Sequence, residues 1–179
     1  MDLKTFIRDI DNFPQEGVVF KDITPLLADA KAMQFTLDRL VEMVGDVKID
    51  KVVGMESRGF FFAPLLAQKL NAGFIPVRKP NKLPAARTSQ TYDLEYGTDT
   101  LEIHSDAILK GEKVLIHDDV LATGGTAKAT CDLVQRLGGE IVQCNFLIEL
   151  DFLNGRNKIE NIMTKALLNY WSKARVVTK

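Results

Sequence analysis

Cysteine is nearly absent. The two in 179 residues, Cys131 and Cys144, stand apart in apolar surroundings and match neither metal-ligand spacing nor a disulfide framework, which predicts two reduced core thiols. An excess of charge is missing too. The 23 Lys and Arg against 24 Asp and Glu leave a formal net charge of −1, which argues against a general nucleic-acid binder. No apolar run reaches the length of a membrane span. Met1-Asp2-Leu3-Lys4 lacks the basic start and apolar centre of a signal peptide, so a cytoplasmic protein with no membrane partner is expected. Repeats, low-complexity tracts and linkers are lacking, and the length suits one domain, residues 1–179, with a core large enough to fold alone. Two common phosphate-binding fingerprints are also absent: no Gly-Lys-Ser/Thr at Walker spacing, and no Gly-x-Gly-x-x-Gly.

What is present is the block Lys113-Val-Leu-Ile-His-Asp-Asp-Val-Leu-Ala-Thr-Gly-Gly-Thr-Ala127. Val114-Leu115-Ile116 has the length and branching of a buried strand. Asp118 and Asp119 follow where that strand would emerge from its sheet. After the glycines, Ala127, Cys131, Val134 and Leu137 share one helical face. A strand, a small-residue loop and a helix start make an anion site, because the first amides of a helix lack intrahelical acceptors and lie at the positive end of its dipole. Gly124 and Gly125 allow close backbone approach, and Thr123 and Thr126 add hydroxyls. Paired carboxylates would repel a bare phosphate but suit hydroxyls, which predicts a ligand carrying a sugar diol next to a phosphate. The bland alternative is a structural strand-turn-helix with exposed acids.

Elsewhere, Thr5 to Ile10 predicts a short amphipathic helix. Phe13 to Pro25, with proline at each end, predicts an ordered apolar loop that plugs a core or lines a flat pocket. Lys31 to Val44 reads as a helix ended by Gly45, and Lys51 to Glu56 as a buried strand. Pro64 conflicts with a helix starting at Gly59, so the helix through Leu70 has a loose first turn or begins later. Gly73 to Arg78 and Glu140 to Leu150 read as further strands. Between Glu56 and Asp93 the chain has six Lys or Arg and no acid, a segment of one sign suited to a polyanion; Lys69 is expected on a solvated face instead. Thr88 to Ile103 suggests a two-stranded flap turning at Glu95-Tyr96-Gly97, with Asp93, Glu102, His104 and Asp106 facing solvent. Asn154 to Ile159 suggests a turn and short helix. Lys165 to Lys179 is partly amphipathic and basic and receives no assignment.

The central block resembles the phosphoribosyl pyrophosphate (PRPP) signature of the type I phosphoribosyltransferase family, in its adenine phosphoribosyltransferase form. His117 departs from that signature, which usually has an aliphatic residue there. Phe13-Pro-Gln-Glu-Gly-Val-Val-Phe-Lys-Asp-Ile-Thr-Pro25 resembles the family's base-binding hood, with Val19, Phe20 and Lys21 at the adenine-binding positions. Glu56-Ser57-Arg58-Gly59 resembles its pyrophosphate loop, which often contains a cis peptide, here Glu56-Ser57. Arg78, Lys79 and Lys82 match its Arg-Lys-x-x-Lys-Leu-Pro segment. Tyr92-Asp-Leu-Glu-Tyr-Gly97 matches its mobile catalytic loop, with Glu95 and Tyr96 at functional positions. The resemblance implies an α/β fold, a central mostly parallel sheet flanked by helices, with an N-terminal hood over about residues 1–30 and a β-hairpin flap over about 79–103.

It implies transfer of 5-phosphoribosyl from PRPP to adenine, giving AMP and pyrophosphate. Glu95 and Arg58 would be catalytic. Asp118 and Asp119 would hold the ribose, and Ala122, Thr123, Gly124, Gly125 and Thr126 the 5-phosphate. Glu56, Ser57, Arg58, Arg78, Lys79, Lys82 and Tyr96 would hold pyrophosphate. Mg²⁺ would be held by substrate oxygens rather than directly by protein, and a homodimer is implied. Enzymes for 6-oxopurines typically have Asp where Ala122 stands and Lys where Gly125 stands, which favours adenine over hypoxanthine and guanine. Two alternatives are a phosphoribosyltransferase for another purine such as xanthine, and a non-catalytic PRPP or nucleotide sensor.

Overall fold

The computed structural model describes residues 1–93 and 97–172. The chain opens on a 3₁₀ turn, Leu3–Phe6, and then a hairpin of β1 (Arg8–Asp11) and β2 (Val19–Asp22). This corrects the helix expected over Thr5 to Ile10. Asp2 caps the turn through Lys4 N, and Ile7 is already extended. Pairing then wins over helical periodicity. Ile10 faces Phe20 across the ladder, and Arg8 reaches Asp22 at 2.6 Å.

Next come α1 (Thr24–Ala28) and α2 (Ala30–Val44). Asp29 caps α2 by accepting from Ala32 N at 2.8 Å, and Gly45 ends it at φ +75°, a conformation that favours glycine. After β3 (Lys51–Met55) a 3₁₀ turn, Arg58–Phe61, precedes α3 (Ala63–Lys69). Pro64 thus sits in the first turn of α3, where its missing N–H has no intrahelical partner to lose. β4 (Gly73–Val77) leads to the flap hairpin, β5 (Arg87–Asp93) and β6 (Thr98–His104), and then to β7 (Lys113–Leu121), α4 (Gly125–Arg136) and β8 (Glu140–Leu150). A 3₁₀ turn over Gly155–Ile159 and β9 (Thr164–Tyr170) complete the described chain. β9 falls in the stretch left unassigned.

Five strands form one parallel sheet in the order β4-β3-β7-β8-β9. Alternation sends Val53, Val114 and Ile116 to the face covered by α4, and Val52 and Leu115 to the face covered by α2 and α3. All five are fully buried; each such side chain contributes about 1.5–3 kcal/mol of burial. A parallel sheet covered on both faces needs apolar runs like these. The chain steps from β3 outward to β4, then returns to the other side of β3 with β7. That reversal opens a crevice at the carboxyl ends of β3 and β7, the usual ligand position in such sheets.

Among the described residues no helix is long and apolar enough to cross a membrane. Both cysteines are buried and free, but they are not isolated from each other: their Sγ atoms lie 3.6 Å apart.

Candidate active site

β7 continues through the acids to Leu121, so Asp118 and Asp119 are held by the sheet rather than by a loop beyond it. Asp119 is buried and Asp118 half-buried. Burial pushes the Asp118 carboxyl well above its ordinary range, and the neighbouring Asp119 charge adds to this. Burial raises Asp119 as well, against the pull of Arg58. Arg58 Nε stands 3.1 Å from Asp119 Oδ2, but off hydrogen-bonding alignment, so that oxygen has no hydrogen bond among the described residues. Upstream, His117 is fully buried, its Nδ1 2.7 Å from Asn145 Oδ1. Burial lowers its pKa to about 4 against the hydrogen bonds from Asn145. The strand thus holds a neutral imidazole through Nδ1 and Asn145, while the buried Nε2 has no hydrogen-bond partner among the described residues.

Past Leu121 the backbone turns through Gly124 at φ +78° into α4. Asp118, Ala122, Thr123, Gly124, Gly125 and Thr126 line a cavity of about 80 Å³ at the start of that helix. The turn rests on Gly155. A Cβ on Gly155 would stand 2.1 Å from Ala122 O, and one on Gly124 would stand 2.2 Å from Gly155 O. Arg156 pins this support from beside it, donating to buried Glu149 at 2.9 Å and to Thr164 O at 2.6 Å.

The β3 side supplies the second loop. Glu56-Ser57 is a cis peptide, as the resemblance implied. A Cβ on Gly59 would meet His117 O at 2.9 Å and Asp118 Oδ1 at 3.1 Å, so this loop lies directly against the acid strand. Glu56 accepts from Arg78 at 3.0 Å, Lys82 at 2.9 Å and Lys79 N at 2.8 Å. Burial raises its pKa, but these donors outweigh it and bring the value down to about 2.

The basic run does not make a surface of one sign. Glu56 answers Arg78 and Lys82, Asp99 answers Lys79, and Glu102 answers Arg87. Glu102, expected to face solvent, is in fact buried; it accepts from Arg87 at 3.1 Å and Asn81 N at 3.0 Å. Lys69 is exposed as expected.

At the hood, Val19 and Phe20 are half-buried, and Phe13 meets Phe20 edge-on at 5.1 Å. The Arg58 guanidinium lies 4.7 Å from the centre of the Phe20 ring, so one side chain spans the β1–β2 hairpin, the turn after β3 and the acid pair. Lys21 turns the other way. Its ammonium is buried, 2.7 Å from Asp9 Oδ1 and 4.1 Å from the centre of the Tyr170 ring. Burial and the charges of Asp9 and Asp2 push the Tyr170 hydroxyl up to about 12. The Lys21 side chain therefore braces the β1–β2 hairpin against Tyr170 and is turned away from the crevice side occupied by Arg58 and Phe20. Glu95 and Tyr96 lie outside the described residues.

Sequence reasoning did not single out Tyr92, Asp99, Gly155 or Tyr170 as site residues. Each acts through partners distant in the chain. Tyr92 Oη, for example, lies 3.2 Å from both Asp99 Oδ2 and Thr126 Oγ1. Local signals existed for Tyr92, inside the quoted loop motif, and for Gly155, in an Asn-Gly pair whose Asn154 adopts φ +54°.

A parallel sheet with paired acids, a glycine-rich helix start and a basic loop across one crevice defines a nucleotide- or sugar-phosphate-binding enzyme fold. The phosphoribosyl transferase domain family matches residues 22–170, and the chain belongs to that family. Within it the resemblance is to adenine phosphoribosyltransferases. The one from Flavobacterium johnsoniae is 65% identical over 170 residues, 95% of this chain and 100% of the relative. The crystal structure of the enzyme from Thermoanaerobacter pseudethanolicus superposes with a TM-score of 0.93 at 48% identity, covering 94% of this chain and 98% of that one. That of the Saccharomyces cerevisiae enzyme, complexed with an imino-altritol bisphosphate and adenine, has a TM-score of 0.88 at 44% identity, covering 93% and 97%.

Proposed function

We propose that this protein transfers the 5-phosphoribosyl group of PRPP to adenine, giving AMP and pyrophosphate for purine salvage. The observation that carries the site reading is Arg58: 3.1 Å from Asp119 and 4.7 Å from the Phe20 ring, it sits where base, sugar and leaving group must meet. The activity of the relatives, adenine phosphoribosyltransferases, supplies the chemistry.

In this reading the amides of residues 123–126 and the Thr123 and Thr126 hydroxyls hold the 5-phosphate beside Ala122. Asp118 and Asp119 accept from the ribose hydroxyls. Arg58, Arg78, Lys79 and Lys82, with Ser57, receive the pyrophosphate. As the C1–oxygen bond to pyrophosphate breaks and the bond from C1 to the purine nitrogen forms, charge grows on the departing oxygens, where fixed cations act most. Glu56 does not bind the anion directly; it holds Arg78 and Lys82 in place. Glu95, by its place in the resembling loop, takes the purine proton or stabilises the cationic sugar, and Tyr96 closes on pyrophosphate. The backbone at Val19 and Lys21 reads the base edge while Phe20 covers its face.

Mg²⁺ fits this donor set as an ion carried by the substrate. Asp119 Oδ2, buried and without a hydrogen bond among the described residues, would face the ribose hydroxyls, and substrate oxygens would carry the ion. The ion would offset pyrophosphate charge. Residues 1–30 act as hood and 79–103 as flap of a single domain, and the family resemblance extends to a homodimer in the cytoplasm.

Base choice follows from the loop. A Cβ at Gly125 would press on the Tyr92 ring at 3.1 Å, so the lysine of 6-oxopurine enzymes would displace the flap. The purified protein with PRPP and Mg²⁺ should therefore convert adenine to AMP with one pyrophosphate released. Hypoxanthine, guanine and xanthine should react at least about a hundredfold more slowly, as when buried polar groups are left unpaired. Comparable turnover of xanthine would move the reading to another purine. Binding of PRPP with no turnover of any base would make the protein a sensor.

A further inference from the structure

The flap hairpin does not stand free of the body. Arg136 near the end of α4 donates to Ser89 O at 2.9 Å and also bonds Gln90. At the start of the same helix, Tyr92 reaches Thr126 at 3.2 Å. β5 is thus fastened along α4 at both ends. Tyr92 and Asp99 are cross-strand partners in the hairpin, and the Tyr92 hydroxyl is shared between Asp99 Oδ2 and Thr126 Oγ1. Asp99 in turn ion-pairs with Lys79. The result is a polar chain, Thr126–Tyr92–Asp99–Lys79. It runs from the loop assigned to the 5-phosphate to a lysine assigned to pyrophosphate.

The Tyr92 hydroxyl has one hydrogen and two acceptors. While Thr126 donates to Tyr92, that hydrogen goes to Asp99. A phosphate at the loop would draw the Thr126 hydrogen to itself, leaving the Thr126 oxygen open to accept from Tyr92. Occupancy of the loop thereby turns the Tyr92 hydrogen from Asp99 to Thr126, which fixes Tyr92 on the helix and leaves its oxygen to accept, beside Asp99, from Lys79. A second anion then meets a lysine whose ordering cost is already met, which is a coupling between sites.

We propose that Tyr92 and Asp99 are positioning residues that couple the phosphate loop to Lys79, so that an anion in one subsite favours an anion in the other. Neither needs to touch substrate. This inference rests on the subsite assignments proposed above.

The test is titration calorimetry with inorganic pyrophosphate and Mg²⁺, with and without saturating ribose 5-phosphate. The ratio of the two dissociation constants defines a coupling factor for native protein, Tyr92→Phe and Asp99→Asn. Direct repulsion between the anions is common to all three proteins and cancels in the comparison. The factor should fall at least about threefold in both variants, within the range of ordinary site coupling. A merely structural role would shift the melting temperature and leave the factor alone. A smaller change in either variant, with both ligands still binding native protein, overturns the coupling and leaves the subsite assignments standing. Native protein that binds neither ligand overturns the assignments and the coupling with them.

Discussion

The proposed ribose-binding role sets Asp118 and Asp119 against the stability of the fold. Burial raises both carboxyls, and each sits beside another acid. A carboxyl whose folded pKa is raised contributes stability below its unfolded pKa, and that contribution is lost as pH rises through the folded value. At neutral pH the pair therefore weakens the fold. Asp118→Asn should raise the melting temperature by about 2–4 °C, the equivalent of about 1 kcal/mol, while weakening PRPP at least about tenfold. A calorimetric scan and a PRPP titration check both; a joint loss of stability and affinity would mean that Asp118 is structural. The acids and glycines were legible in sequence because their neighbours along the chain define their setting. Glu102 was not, since its donors Arg87 and Asn81 lie 15 and 21 positions away. Lys21 was half legible: its place in the hood was, but its bond to Asp9 was not.

The elements were most legible where periodicity was undisturbed. α2 and β8 have almost the expected bounds, and α3 begins at Ala63 with the proline inside its first turn. The N-terminal stretch misled because its apolar spacing fits a turn of helix, yet the partner that makes it a strand comes only after the Phe13-Pro14 turn. β9 was hidden by mixed polarity, as expected of an edge strand with only one neighbour and half-exposed side chains. The contact between the Gly124 turn and Gly155 belongs to this scale, because two elements meet there through bare backbone. Gly155→Ala would force Ala122 away from its place at 2.1 Å. The expected outcome is a KM for PRPP raised at least about tenfold, with kcat changed far less, as for lost ground-state positioning. Steady-state kinetics with varied PRPP measures the split. An unchanged KM would remove Gly155 from the support of the loop.

On the scale of the molecule, one reversal in strand order places the ends of β3 and β7 side by side, and the sequence block that ends in Gly-Gly-Thr is read out at that crevice. Alternating strands and helices made the parallel sheet legible. The strand order was not, because nothing local says that β7 returns beside β3 instead of continuing past β4. The flap shows the same limit: its two strands were expected, and its fastening along α4 by Arg136 and Tyr92 was visible only in the fold. The proposed function requires that sugar hydroxyls meet the acid pair while the phosphate meets the start of α4. A crystal structure of the protein with AMP tests it most directly. The ribose hydroxyls should lie within about 3 Å of Asp118 and Asp119, and the phosphate oxygens within the same distance of the amides of residues 123–126. An AMP phosphate bound elsewhere, with Asp119 still paired to Arg58 and the Gly124–Gly125 turn empty, would contradict the account.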